Sequence, residues 1–388
     1  MISRSSFKEQ TRIILVAITL AFFIRMTNNM VNTTAPILAK YTYTLNSTDV
    51  GLTGTVIYLA TLISTAFVNP RLQGLAKKRV FIISMFATSI SLIGLYFQDV
   101  VLFWLFLSVF GFFTGFLFTN ILTSISTNVE GVSRERGLAA YSMALSLSLL
   151  IGPVIERFSL PIVGYYGIFI EFLPMMFIAS VLSFKIRAPE ITEKRDVRGA
   201  VNTPGFLASI ISITSYNVPF AAFTVFMDIY TKEKFGVSSS FAYYVFIFFF
   251  GASLLTRIYM QIRPFRHLRI PLTFFISITV VTFLVIGFVN NIYLYFALIA
   301  IMGIPHGGIF PISTILISRG TPRERLNAAN SYFTSFNNIL FLAVPPLFGY
   351  LSGEIGFTIS FISLSIISFA SLILIYAKFS RNRQVFYK

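Results

Sequence analysis

The chain has 388 residues, of which 56% are hydrophobic and 11% charged, with a formal net charge of +16 and no cysteine. A mean hydropathy of +0.80 leaves too little polar surface to coat a soluble globule of this size, and the lack of cysteine excludes disulfides and thiolate metal sites. In a soluble chain such positive charge would suggest nucleic acid, but its distribution here points to a membrane surface instead.

An α-helix needs about 20 apolar residues to cross the hydrocarbon core of a bilayer. Windows of that kind occur twelve times, at 13–38, 50–68, 80–97, 101–126, 138–155, 160–184, 206–230, 241–259, 271–289, 292–317, 328–351 and 357–377. They are too long and too uniformly apolar for barrel strands, so the sequence predicts an all-α membrane protein with twelve transmembrane helices. The first window is too long for a signal-peptide core and carries Arg25, so it is expected to persist as helix 1. With the N-terminus inside, the inner segments hold 25 Lys and Arg, whereas the outer loops hold only Lys40, Arg157, Lys232 and Lys234. Short basic loops stay in the cytoplasm, so the expectation is a multi-pass cell-membrane protein with both termini cytoplasmic and no nucleic-acid partner.

In span 1, Arg25, Asn28, Asn29 and Asn32 recur at i, i+3, i+4 and i+7 and share one helix face. Arg25 follows Ile13 by 12 residues, roughly 18 Å along the axis and near the midplane. A charge at that depth costs about 2.5–3.5 kcal/mol on the insertion scale and must face a partner or water. Two roles compete for it: a fixed ion pair, or a charge used in substrate binding or proton coupling. Span 4 adds a polar stripe of Asn120, Thr123, Ser124 and Thr127, and span 7 adds Ser209, Ser212 and Tyr216. Glu171 lies 11 residues into span 6, where a carboxyl's protonation depends on its neighbours.

Other polar groups have plainer readings. Glu156 beside Arg157, and Asp228 four residues before Lys232, read as interfacial carboxylates. His306 in span 10 is either a packing residue or a group that titrates or binds substrate. Asn327, Asn330, Asn337 and Asn338 in span 11 read as interhelical glue. The run 246–250, Phe-Ile-Phe-Phe-Phe, reads mostly as packing or lipid-facing surface, with a few rings lining a cavity.

The longest polar segment, 185–204, has six spans on either side and reads as a linker. This gives an amino-terminal bundle over 1–186, a linker over 187–204 and a carboxy-terminal bundle over 205–388. The halves repeat: Gly111 and Gly115 of span 4 answer Gly303 and Gly307 of span 10, an offset of 303 − 111 = 192. Arg134-Glu135-Arg136 likewise answers Arg323-Glu324-Arg325, an offset of 323 − 134 = 189. The glycine pairs read first as close helix packing, and the Arg-Glu-Arg groups as membrane-face anchors.

Six plus six spans, a charged central segment and matching half-repeats resemble the major facilitator superfamily over essentially the whole chain. Between spans 2 and 3, Pro70-Arg71-Leu72-Gln73-Gly74-Leu75-Ala76-Lys77-Lys78-Arg79 stands where family members tend to show Gly-x-Leu-Ala-Asp-Arg-x-Gly-Arg-Arg, with Gly74 in place of the Asp that helps latch the cytoplasmic gate. Gly152-Pro153 looks like the core of the antiporter motif, with Glu156 and Arg157 replacing its final glycines. Span 4 lacks the Arg of many proton-coupled relatives.

The resemblance implies two six-helix bundles that rock about a midplane site lined by helices 1, 4, 7 and 10. It also implies neighbouring helices 1 and 6, making Glu171 the expected partner of Arg25. The substrate-binding set expected on this basis is Arg25, Asn28, Asn29, Asn32, Asn120, Tyr216, Asn217 and His306, with Glu171, Arg25 and His306 for proton coupling. Organophosphate carriers of the superfamily carry an Arg in each half; here the position 192 beyond Arg25 is Asn217, which disfavours a doubly charged phosphate.

The expected function is secondary active transport of a small organic solute, proton-coupled and tilted toward export or antiport, by a monomer with no cofactor and no metal. Proton-coupled uptake of an organic monoanion through Arg25 is the alternative. A membrane-embedded enzyme or receptor is the reading from another class, but no Gly-x-x-x-x-Gly-Lys-Ser/Thr, His-Glu-x-x-His or Gly-x-Ser-x-Gly motif is present to support enzymatic chemistry.

Overall fold

The structure, a computed structural model, describes residues 4–69, 72, 74–129, 131–186, 199–263, 265, 267–379 and 386. Pro70, Arg71, Gln73 and 187–198 of the linker lie outside the described residues, as do the side chains of Thr123, Thr127, Arg134, Glu135, Arg136, Arg323, Glu324 and Asn327.

The described chain is built from helices. In order they are α1 (Arg4–Tyr41), α2 (Ser47–Ile63, continued by a π turn to Val68), α3 (Gly74–Tyr96), α4 (Val100–Asn128), α5 (Gly131–Glu171) and α6 (Leu173–Ser183). After the linker come α7 (Pro204–Phe235), α8 (Tyr244–Ile262), α9 (Arg269–Val285), α10 (Ile292–Gly320) and α11 (Arg323–Phe379).

Ten stretches among the described residues are long and apolar enough to cross a membrane. Two of them, Met143–Ser183 with 41 residues and Tyr332–Phe379 with 48, would run about 60 and 70 Å if straight, twice the thickness of a hydrocarbon core. Each is broken by a glycine with positive φ, Gly164 at φ 68° and Gly356 at φ 80°, a region that only glycine enters without strain. Counting the limbs of these two stretches separately agrees with the twelve crossings read from the sequence. This is an all-α, multi-pass membrane protein.

One predicted boundary moves. Span 5 was expected to end at Ile155 before the charged pair Glu156-Arg157, yet the helix continues to Gly164. A charged pair ends a span only if it needs water, and here the Glu156 carboxyl is sealed inside the protein with Oε1 held by Thr33 and Thr34.

By internal contacts the chain forms two compact units: Met1–Thr44 with Thr53–Glu193, and Leu45–Leu52 with Lys194–Lys388. In the first, α1 packs on α5, α4 and α6, and α3 packs on α4. In the second, α7 packs on α11 and α10, α8 packs on α10, and α9 packs on α10 and α11.

The repeat is visible in the packing of each unit. Lipid supplies no hydrophobic drive between helices, so they associate where small residues let backbones approach. A Cβ on Gly111 would sit 2.8 Å from Ile57 Cα of α2, and one on Gly303 would sit 2.9 Å from the Phe249 carbonyl carbon of α8. Helix starts match too. Asp99 Oδ1 accepts from Val101 N and Leu102 N at 2.8 Å to cap α4, and Asn291 Oδ1 accepts from Tyr293 N at 2.9 Å and Leu294 N at 3.1 Å to cap α10. Their offset, 291 − 99 = 192, equals that of the glycine pairs.

Candidate functional site

Arg25 stands at the centre of the apolar stretch Glu9–Tyr41. It is half-buried, with its guanidinium carbon 5.9 Å from the centre of the Phe118 ring on α4, a distance at which a cation gains from the ring's quadrupole. Its charge also acts on Tyr58 of α2 and Tyr141 of α5. The guanidinium therefore faces neighbouring helices of its own unit. Its expected ion pair with Glu171 is not formed; Glu171 accepts a hydrogen bond from Ser159 Oγ instead. Depth explains this. Glu171 lies 7 residues from the Gly164 break, about 10 Å, whereas Arg25 lies 16 residues from Tyr41, about 24 Å.

The amides of α1 partly satisfy one another. Asn28 and Asn29 are buried, and Asn32 Nδ2 donates to the Asn28 main-chain carbonyl at 2.7 Å and to Asn28 Oδ1 at 3.4 Å. Asn120 is also buried, and its Nδ2 donates to Asn69 Oδ1 at 3.2 Å. That bond ties α4 to the end of α2, and Asn120 Oδ1 is buried with no hydrogen-bond partner.

Both carboxylates read as interfacial need correction. Glu156 is 0% exposed, and its Oε1 accepts from Thr33 Oγ1 at 2.7 Å and Thr34 Oγ1 at 3.0 Å on α1. Four residues earlier on the same helix face, a Cβ on Gly152 would touch Met26 Cγ at 3.3 Å, so the Gly152–Glu156 face of α5 is the one seated on α1. Glu171 is close enough for its charge to act on Glu156. Asp228, at 1% exposure, is likewise inside the second unit, where its charge acts on Tyr295.

In the second unit the structure joins two of the predicted residues. The Tyr216 hydroxyl of α7 is hydrogen-bonded to His306 Nδ1 of α10. Around the imidazole stand the rings of Phe220 at 4.4 Å, Phe249 at 5.2 Å and Phe250 at 5.7 Å between centroids. Phe246, Phe249 and Phe250 are buried while Phe248 is exposed, so the aromatic run divides by helix face between packing and lipid. Asn217 does not join this group. Its Nδ2 donates to Asn337 Oδ1 of α11 at 2.6 Å, where the amide pair ties α7 to α11. Below it, Ser313 Oγ donates to Ser212 Oγ at 3.0 Å.

The chemistry on offer among the described residues is thus a half-buried guanidinium with no ion pair to Glu171, a phenol–imidazole pair enclosed by aromatic rings, and a sealed carboxyl on two threonines. Sequence reading named Arg25, Tyr216 and His306 one by one, with Glu171 expected beside Arg25 and no contact foreseen between Tyr216 and His306. It missed the third, although Thr33 follows Asn29 by one helical turn and Glu156 follows Gly152 by one turn.

The family model described as Major Facilitator Superfamily matches residues 17–277 and 205–385. No curated protein matches the sequence. Among solved structures, a peptide transporter POT in complex with sulfate superposes with a TM-score of 0.76 at 10% identity, covering 97% of this chain and 96% of that one. A bacterial homolog of the human lysosomal transporter Spinster, inward-facing and occupied, gives 0.69 at 14% identity, covering 95% and 94%. The human organic anion transporter MFSD10 (TETRAN) gives 0.67 at 14% identity, covering 94% and 99%. At such identities the likeness is one of fold.

Proposed function

From the premise that this chain belongs to the Major Facilitator Superfamily, and is therefore a secondary transporter of a solute and not an enzyme, we propose that it moves a small amphipathic organic anion by alternating access. On this reading the driving gradient is protonic and the direction is export by exchange. The protein resides in the cell membrane as a monomer, with both termini cytoplasmic. The observation that carries the reading is Arg25, a half-buried cation at the centre of a membrane helix with Phe118 beside it and no ion pair with Glu171. A charge at that depth is retained at a cost of about 2.5–3.5 kcal/mol, and binding a solute's single negative charge is the use that offsets it. Within the second unit, Tyr216, His306 and Phe220 are a separate candidate for solute contact, offering hydrogen bonding and aromatic surface. Asn28, Asn29, Asn32, Asn120 and Asn217 are kept as candidate contacts for the solute's polar groups, Asn29 Nδ2 and Asn120 Oδ1 being buried with no hydrogen-bond partner. The antiporter-like Gly152-Pro153, seated against Met26 next to Arg25, favours exchange.

A second reading, proton-coupled uptake of an organic monoanion, rests on the same guanidinium. Proteoliposomes holding the full chain separate the two by the sign of the gradient. With radiolabelled p-aminohippurate, an aromatic monoanion, an antiporter accumulates label when the lumen is acidic, and a symporter when the outside is acidic. A zwitterionic dipeptide and tetraphenylphosphonium complete the panel. Counterflow of the cation but not the anion refutes both readings.

A further inference from the structure

We propose that Glu156 is a proton-binding site of the first unit, with Glu171 as its neighbour on the path to water, and that the proton it holds is the coupling proton of the transport cycle. This rests on the proton-coupled reading above and assigns it to a residue outside the expected set.

Three observations on geometry carry it. Glu156 is 0% exposed within its own unit, so its carboxyl is sealed by protein and not merely turned toward lipid. Its Oε1 accepts from Thr33 and Thr34, whereas Oε2 is buried with no hydrogen-bond partner. The same holds across the hairpin: Glu171 accepts from Ser159 through Oε1, and its Oε2 is buried and unpartnered. Two acidic side chains, each with one bare oxygen in a water-poor interior, are missing at least one proton or cation. A buried acceptor left bare is costly, and a bound proton or cation would satisfy it.

The surrounding charges do not supply the missing cation. On α1 the nearest are Arg25, eight residues below Thr33, and Lys40, six residues above Thr34. On α5 itself Arg157 follows Glu156, and its guanidinium lies 5.6 Å from the Phe158 ring centre. The described parts of α4 and α6 carry no charged residue, and α3 carries its charges at Lys77, Lys78 and Arg79 on its first turns. Among the described residues, the charge of Glu171 acts on Glu156.

Depth is consistent across the hairpin. Glu156 lies 8 residues before the Gly164 break and Glu171 lies 7 after it, about 12 and 10 Å from the turn. Glu156 is sealed and Glu171 half-buried, so Glu171 is the member through which a proton reaches water. The threonines that hold Glu156 belong to the helix that carries Arg25, which connects the proton to the substrate charge through one rigid element.

The test uses the full chain in lipid, with the proton itself as the probe. An infrared titration in H2O and D2O should show the carbonyl band of a protonated, slowly exchanging carboxylic acid, and Glu156→Gln should abolish it. Thr33→Val, which removes one donor and leaves the carboxyl, should move that band to higher wavenumber and keep the site readable if the first variant does not fold. In vesicles, Glu156→Gln should keep p-aminohippurate counterflow and lose accumulation driven by an imposed pH gradient. A band unchanged in both variants, a band lost on adding sodium at constant pH, or gradient-driven accumulation unchanged by Glu156→Gln overturns the proposal while leaving proton coupling standing. Wild-type accumulation that ignores the imposed pH gradient instead refutes proton coupling itself.

Discussion

Gly307 directly follows His306, and a Cβ added there would sit 2.5 Å from the Ser253 carbonyl oxygen and 2.6 Å from Thr256 Cβ, both on α8. Ordinary contact begins near 3.4 Å, so Gly307→Ala obliges α8 to retreat by close to 1 Å, because a helical carbonyl has no rotamer with which to yield. Gly353→Ala is the matched control, since its Cβ would meet only Ser47 Cβ at 3.9 Å. Both changes gain the same alanine helix propensity, about 1 kcal/mol, and that gain cancels in the comparison. What remains is the overpacking cost, roughly 1–3 kcal/mol. Unfolding of the two variants in mixed micelles should differ by that amount, with Gly307→Ala the less stable. The same retreat displaces Phe249 and Phe250 from around His306, so its counterflow should also fall. Equal stabilities within about 0.5 kcal/mol would refute the claim that this glycine exists for close approach of α10 to α8.

Three further outcomes are expected. Tyr216→Phe removes the hydrogen bond to His306, worth about 0.5–1.5 kcal/mol, and should weaken p-aminohippurate binding by up to tenfold with the fold intact; unchanged counterflow affinity would exclude the pair from the site. A double-mutant cycle on Asn217→Ala and Asn337→Ala should give a coupling of about 0.6 kcal/mol and no more than about 1.7, and zero coupling would remove the α7–α11 bond. Gly164→Ala, at φ 68° and ψ 179°, should cost roughly 1–3 kcal/mol, and a neutral result would mean that the α5 break sits elsewhere.

The spans were legible because each is a long apolar window, and the glycine pairs because they recur at a fixed offset. The helix caps Asp99 and Asn291 repeat at that same offset, but a cap is recognised only once the helix start is known. Tyr216 and His306 were each visible as polar residues in apolar helices; that they meet depends on α7 packing against α10, which no local pattern encodes. Glu156 was misread for a physical reason. A carboxylate beside an arginine looks like the end of a span, since charge normally seeks water, and only the tertiary pairing with Thr33 and Thr34 shows that Oε1 is held indoors while Oε2 is sealed without a partner. The Arg25–Glu171 pair failed for the converse reason: helix adjacency was expected, but the turn at Gly164 sets Glu171 at a different depth.

The most direct measurement of the central claim is the charge selectivity of counterflow in Arg25→Gln against wild type and Arg25→Lys, using p-aminohippurate and its uncharged amide in the same vesicles. The account predicts that wild type prefers the anion, that Arg25→Lys retains part of the preference as a point charge without the planar fork, and that Arg25→Gln loses it while still exchanging the amide. An Arg25→Gln protein that keeps its full preference for the anion would contradict the account.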